Sequence, residues 1–305
     1  MILHYLKIAF RNLCKHKTQN IISIIGLAVG LLCFCVCIYC SRFVESTDHC
    51  FANHDRIAEL NLYDGKTDRY FSGSPVPLAE DLRTWSLGET EAISSVTYPR
   101  ERPYYVELSP EKMLPYELET IEIDTCYNKI FTPEMVAGHW KMASQSLNSV
   151  ILSQSMAIKI FGNAESAIGK HMTLMRRLNT SPESTPKTGG IVYTIQAVMK
   201  DIPLNNSLDF MQNIDMLTVN DSEGLLQSSK RHNMTGANTY VLLSPQTTCT
   251  DLEKQFLKRD YTYTLYGEAY TVTASSMGAR LKKQGASYLG LVTGTVGTLI
   301  LLVGL

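Results

Sequence analysis

Apolar positions crowd into two stretches near the ends of the chain and are scattered between them. Asn20 to Cys40 (NIISIIGLAVGLLCFCVCIYC) and Ala286 to Leu305 contain no Asp, Glu, Lys or Arg, and each is as long as the ~20 residues a helix needs to cross the hydrocarbon of a bilayer. The pattern predicts two transmembrane helices, over residues 20–41 and 286–305, around a polar body at 45–285. The first stretch continues through Tyr39 to Ser41, Arg42 and Phe43 with no small-residue cleavage site, so it reads as an anchor and not as a removable signal peptide. Tyr39 before Cys40 and Leu32 before Cys33 give no lipobox.

Within the body, periods of two and of 3.6 residues alternate, which predicts an α+β fold. Arg56 to Tyr63 reads as a strand, Pro77 to Trp85 as a helix with Pro near its first turn, and Ile93 to Tyr98 as a strand. Thr239 to Leu243, Thr250 to Lys258 and Tyr270 to Ala274 repeat that order, with Thr250 as N-cap and Glu253 completing a capping box. Two β-α-β units therefore bracket a middle segment, and such halves can pair into one α+β sandwich with the middle inserted between them. The middle has strand-like runs at Glu119–Ile123, Ser149–Leu152 and Ile191–Val198, and a short amphipathic helix at Ser153–Ile160 ended by Phe161 and Gly162. The stretch from Asn179 to Gly190 (NTSPESTPKTGG) is expected to be a mobile hairpin loop, and Asp201 to Leu208 (DIPLNNSL) a fixed turn.

Charge orients this layout. Lys7, Arg11, Lys15 and Lys17 precede the first span, and the first acid is Glu45. Basic residues are retained in the cytoplasm, so the N-terminus is expected inside and the body outside. Arg280, Lys282 and Lys283 run the other way, but the charge rule does not hold across so long a loop. Ile2, Leu6, Phe10 and Leu13 share a face opposite Lys7, Arg11 and Lys15, the pattern of a cytoplasmic amphipathic helix over 1–19 resting on the bilayer. A basic flank before any signal anchor shows the same pattern.

Composition refines the picture. Hydrophobic residues make up 45% of the chain and its mean hydropathy is -0.05, which suits a large soluble body with a small membrane part. A net charge of -1 gives no general attraction to nucleic acid. Of eight cysteines, only Cys50, Cys126 and Cys249 fall in the body, allowing at most one bridge, so its own core must hold it.

Several motifs imitate chemistry. Gly162 to His171 (GNAESAIGKH) lacks the glycine spacing and the hydroxyl of a phosphate-binding loop, and reads as a helix-end turn before a strand. Ser109-Pro-Glu-Lys112, Ser146-Leu-Asn148 and Lys187-Thr-Gly189 copy the three elements of penicillin-binding serine enzymes, yet lie too close together to enclose a helical domain. Asp48, His49, Cys50, His54 and Asp55 match no common zinc spacing and read as a polar linker. No catalytic, cofactor-binding or metal site is therefore expected. Neither span carries an ionisable group for ion coupling. Gly26-x-x-x-Gly30 and Gly290-x-x-x-Gly294 let helices approach closely, although glycine is common in membrane helices.

Four segments together resemble the permeases of the MacB and FtsX superfamily of ABC transporters. These are LKIAFRNLCKHKTQNIISIIGLAVGL, YNKIFTPEMVAGHW, SVILSQSMAIKIFGNAESAIGKHM and YTIQAVMKDIPLNNSL, in order from Leu6 onward. The resemblance implies a bacterial inner-membrane protein whose periplasmic core has a porter-like part, here 50–106 and 238–278, and an inserted β-rich part, here 107–237. It further implies a separate cytoplasmic ATPase carrying ATP and Mg, a second permease copy, and in some relatives an adaptor and an outer-membrane duct. Such permeases have three further helices after the core, whereas Leu305 lies inside the first of them, so the chain is expected to be the N-terminal part of a longer permease. Rival readings are an extracytoplasmic sensor between two spans and an anchored cell-wall enzyme.

Overall fold

The computed structural model describes residues 15 and 17–285 apart from 72, 86, 110–111, 147, 175–189, 210, 221–236, 266, 280 and 284. The chain divides into two units, one holding residues 1–47 and 280–305, the other residues 48–279.

In the first unit, helix α1 (Lys17–Glu45) runs for 29 residues, and its most apolar stretch has a mean hydropathy of 2.9. At the α-helical rise that is about 44 Å, longer than the hydrocarbon of a bilayer. None of that stretch is buried, and Ile22, Leu27 and Leu32 are all more than half exposed, so the helix has the length, composition and exposure to cross a membrane. The helix begins three residues before the expected span and absorbs Lys17, because nothing between Lys17 and Asn20 breaks an α-helix. Lys17 therefore belongs to the long rod and not to a separate surface helix. Lys7, Arg11 and most of the expected 1–19 helix, the second span with Gly290 and Gly294, and the loop at 179–189 lie outside the described residues.

The second unit is built on β1 (Ile57–Asp64), α2 (Val76–Thr84) and β3 (Thr90–Thr97), joined by the later β11 (Ala237–Leu243), α6 (Cys249–Lys258) and β13 (Glu268–Ser276). The strands pair antiparallel in the order β3-β11-β1-β13, the split β-α-β arrangement of a ferredoxin-like sheet. Short strands β2 (Arg69–Phe71) and β12 (Thr262–Leu265) add to β1 and β13. Period-two alternation explains the layering: Ala58, Leu60, Leu62, Val241 and Leu243 turn to one face and pack with Leu78 and Leu82 of α2 and Leu252 and Phe256 of α6. Their neighbours Ile57, Tyr240 and Leu242 turn to the opposite face.

Between β3 and β11 the chain forms a closed barrel. Strands β4 (Arg100–Ser109), β5 (Lys112–Ile123), β7 (Ser149–Ser153), β8 (His171–Leu174), β9 (Ile191–Met199) and β10 (Met216–Val219) pair in the ring β4-β8-β9-β7-β10-β5 and back to β4. Tyr104, Val106, Leu118, Val150, Met172 and Ile195 belong to one fully buried cluster contributed by these strands, so side chains fill the barrel, as expected for so few strands. Helices α3 (Tyr127–Phe131) and α4 (Trp140–Gln145) and strand β6 (Met135–Gly138), which pairs with β9, dress its outside, whereas α5 (Gln154–Phe161) adds Met156, Ala157 and Ile160 to the same buried cluster as the barrel strands. Val96 pairs with Ile123, so β5 closes the barrel and touches the ferredoxin-like sheet. Ile121, Ile123, Tyr127, Phe131, Tyr240 and Leu242 form a shared core between the two.

Two expectations are corrected. All of β4 from Arg100 pairs with barrel strands, so the chain leaves the first sheet before residue 100 and not at 106. The N-cap of α6 is Thr248, two residues before Thr250, with Asp251 as its reciprocal partner, because Pro245 and the left-handed Gln246 turn the chain ahead of it. Glu253 instead accepts the N–H of Ala274 at 2.9 Å and fastens α6 to β13. Thr248→Ala is expected to lower stability by about 1 kcal/mol, with Thr250→Ala near neutral, as read from chemical denaturation of the full chain. Equal losses would restore Thr250 as the cap.

Candidate functional site

Asp48 is the first residue of the outer unit, and it sits at a node of three segments distant in sequence. Its backbone adopts φ 69°, in the left-handed region, and the residue is 1% exposed. Its N–H donates to the carbonyl of Asn205 at 2.9 Å. Its carboxylate accepts the N–H of Ser207 at 2.6 Å on Oδ1 and the Ser207 hydroxyl on Oδ2. The partner loop is fixed by Asn206, which is fully buried, donates to Pro203 O at 2.7 Å and accepts from the N–H groups of Leu208 and Asp209 at 2.9 and 3.0 Å. This is the side-chain-to-backbone bonding that makes Asn a turn residue. The third segment is the outgoing turn after β13. Gly278 has φ 72°, and a Cβ there would lie 2.3 Å from Asp48 Oδ2 and 2.8 Å from Ser207 Oγ. Only glycine fits both the backbone and the space. Beside it, Met277 N–H donates to Ile57 O at 2.9 Å.

A second buried carboxylate ties α2 to the end of β5. Asp124, 1% exposed, accepts from the Arg83 guanidinium, from Ser94 Oγ at 2.8 Å, and from the N–H groups of Ser95 and Cys126, both at 2.9 Å. Arg83 also donates to Ile93 O at 3.1 and 2.9 Å and to Glu80 at 3.0 Å. Nearby lies a cavity of about 230 Å³ lined by Leu82, Arg83, Glu91, Cys126 and Lys129, among others. Burial, and then the Asp124 charge, push the Cys126 thiol up, so it is a poor nucleophile.

In the barrel, Arg102 pairs with Glu122 at 2.7 Å, and Asn220 donates to Glu122 at 3.3 Å. Burial raises the Tyr104 phenol and carries Tyr193 up to about 12, so both stay neutral. These groups are structural, since the barrel interior around them is packed.

Other singled-out residues are dispersed. Gly26 has open space around an added Cβ, and Lys15 and Lys17 are exposed; Gly30 lies on the same helix. His49 and His54, five apart, do come together, with ring centroids 4.5 Å apart, because the chain turns between them. Even so, no group of three metal-ligating side chains occurs among the described residues. Asp48, read from the sequence as part of a polar linker, is in fact a buried hub. Gly162 is the left-handed cap of α5 at φ 87°. Ser109 ends β4 and Ser146 and Asn148 precede β7, which stands opposite β4 in the barrel ring with two strands between them on either side, while Lys187 lies outside the described residues. Cys50, Cys126 and Cys249 are unbridged.

Ser207→Ala removes the hydroxyl donor to a buried charge, leaving the backbone N–H contact in place, and is expected to cost about 1.5–3 kcal/mol, and Gly278→Ala about 2 kcal/mol or more from backbone strain and overlap. Thermal melts of the full chain read both; a neutral Gly278→Ala would show that the node is not closed. Arg83→Met leaves Asp124 buried without its cation and is expected to cost about 3–5 kcal/mol. A loss below 1 kcal/mol, measured the same way, would rule out Arg83 as the anchor.

No protein-family model matches the sequence, and no curated protein matches it. Solved structures do. A domain of a candidate permease protein from Porphyromonas gingivalis is 21% identical, with a TM-score of 0.54 over 74% of this chain and 93% of that one. The periplasmic region of MacB from Actinobacillus actinomycetemcomitans is 14% identical, with a TM-score of 0.47 over 76% and 92%. The extracellular domain of the noncanonical ABC-type transporter YknZ from Gram-positive bacteria is 11% identical, with a TM-score of 0.43 over 72% and 99%. The fold assignment rests on the first, and it agrees with the resemblance read from the sequence: the body of this chain has the fold of that permease domain.

Proposed function

We propose that this chain is a permease subunit, or the N-terminal part of one, in a MacB-like ABC transporter. The observation that carries the reading is the fold shared with the Porphyromonas gingivalis permease domain over 93% of that domain, in a chain that joins it to a lipid-exposed apolar helix. A sensor has no comparable support: the solved structure that carries the fold assignment is a permease domain.

In this reading the basic residues Lys7, Arg11, Lys15 and Lys17 hold the N-terminus in the cytoplasm of a bacterial inner membrane, and the body is periplasmic. A partner ATPase binds ATP and Mg and moves the transmembrane helices of two permease copies. The displacement enters the body at Asp48 and near Ala279, the ends of the outer unit. Hydrogen bonds join Asp48 to the 203–209 loop, and Met277 to Ile57, so both barrel and sheet receive the motion. Such a relay would export or release a periplasmic or membrane cargo, with an adaptor and an outer-membrane duct where the system uses them. Gly26 and Gly30, with Gly290 and Gly294, supply close helix packing in the bundle.

Two measurements test this. Alkaline phosphatase inserted after Lys187 is expected to be active and the same reporter fused at Lys15 inactive; the reverse pattern overturns the orientation. The full permease co-expressed with a candidate ABC ATPase from the same organism is expected to purify as one complex and to raise the ATPase turnover at least twofold. If no ATPase associates, the transporter reading fails.

A further inference from the structure

The loop that grips Asp48 carries two apolar side chains that its own packing leaves in the open. Leu204 is 40% exposed and Met211 58% exposed. The N–H of Met211 donates to the carbonyl of Leu204 at 2.8 Å, which closes the loop and brings the two residues side by side. Met211 also has φ 68°, a left-handed conformation that a bulky residue rarely adopts and that tends to be kept where it serves a function. The loop is firmly built. Asn206 is fully buried and its side chain bonds Pro203, Leu208 and Asp209, and the N–H of Gln212 donates to Asp209 O at 3.3 Å, so Leu204 and Met211 are presented by a fixed scaffold.

The path of the chain says what covers them. The N–H of Asp48 donates to Asn205 O at 2.9 Å, and Asp48 follows by three residues the end of α1 at Glu45. Three residues span at most about 11 Å, so the chain itself keeps this loop close to the end of the apolar helix. The uncharged run Asn20–Cys40 is about 31 Å long as a helix, the thickness of the hydrocarbon. Ser41 to Glu45 then rise about 7 Å, close to the depth of the headgroup layer on one side. Glu45 therefore stands at the outer boundary of that layer, with Asp48 and its loop in reach of it. The other end of the node carries positive charge: Lys282 and Lys283 follow Gly278 by four and five residues, and a Cβ on Gly278 would lie 2.8 Å from Ser207 Oγ. Basic residues at a membrane boundary are drawn to anionic headgroups.

We propose that the loop at 204–211 dips into the headgroup layer of the membrane that α1 crosses, with a lipid surface as its partner and Leu204 and Met211 as its apolar contact. Apolar side chains gain by burial at the boundary of headgroups and acyl chains, and nearby basic residues add to the attraction. Lipid takes from water the apolar surface that the outer unit leaves exposed, and this offsets the strained backbone at Met211. Ser207 on the same loop holds Asp48, so contact with lipid at Leu204 and Met211 also steadies the first residue of the outer unit. The inference rests on α1 being a membrane anchor and not on the transporter reading.

The test uses the full chain reconstituted in vesicles, with brominated phospholipid as a short-range quencher inside the bilayer and iodide as a quencher in water. Met211→Trp and Leu204→Trp are each compared with Tyr70→Trp, whose position is exposed and pairs with Tyr63 at the end of β1 away from Ile57. Trp85 and Trp140 give a background common to all three. The indoles at 204 and 211 are expected to be quenched about twofold by the brominated lipid, and to be about twofold less sensitive to iodide than the indole at 70, because they lie at the boundary of headgroups and acyl chains. Circular dichroism confirms folding, and if one variant fails to fold the other carries the test. Emission from 204 and 211 that brominated lipid leaves unchanged overturns the proposal; shielding from iodide alone would assign these residues to a protein contact. A wild-type chain that does not float with the vesicles overturns the anchor, and the proposal with it.

Discussion

The carboxylate of Asp48, buried and gripped by Ser207 with Gly278 beneath it, is the contact on which the mechanical integrity of the outer unit depends. A non-glycine residue at φ 69° and a desolvated charge are each unfavourable in isolation. They persist because donors on a second segment and a missing side chain on a third fit them together. The contact joins residues 48, 207 and 278, so the incoming turn, the loop before the last barrel strand and the outgoing turn cannot shift independently. The requirement for glycine at 278 follows from the charge at 48, because the added methyl would meet that carboxylate before anything else.

The same logic extends through the body. The ferredoxin-like sheet and the barrel are not beads on a string, since Phe51, Tyr127, Phe131 and Tyr240 share one core, with Phe131 lying 5.0 Å from Phe51, 4.5 Å from Tyr127 and 5.2 Å from Tyr240 by ring centroid. Edge-to-face and offset ring pairs of this kind resist sliding, because a shift forfeits the favourable quadrupole geometry along with the buried area. Asp124 and Arg83 clamp the same junction from α2. The sheet and the barrel therefore move as one body more readily than they hinge on each other.

The sequence exposed whatever depends on neighbours close in the chain. Alternation in Ile57–Asp64 and Ala237–Leu243, the apolar face of Val76–Thr84 and the Ser153 cap with Gly162 at the far end of α5 are all local, and all could be read. The β4–β5 hairpin was hidden because Pro103 and Pro115 interrupt it, and proline usually demotes a strand. Both are tolerated, since β8 pairs with β4 only at Tyr104–Val106 and β10 pairs with β5 only at Thr120–Ile123, so neither missing N–H falls within those ladders. Barrel closure rests on the parallel pairing of Met216–Val219 with Thr120–Ile123, nearly a hundred residues apart, which no local period encodes. Asp48 was invisible as a hub for the same reason: a polar residue beside a membrane helix looks like linker until Ser207, 159 positions later, is brought to it.

A filled barrel also limits how such a domain can act. Tyr104, Leu118, Met172 and Ile195 occupy its interior, and none of them is exposed. Opening a path through it would strip several large side chains of their packing, at roughly 2–5 kcal/mol for each one displaced. That sum approaches the entire stability of an ordinary domain. The barrel is thus a packed core and not a pore, and a ligand or partner meets this unit at its surface.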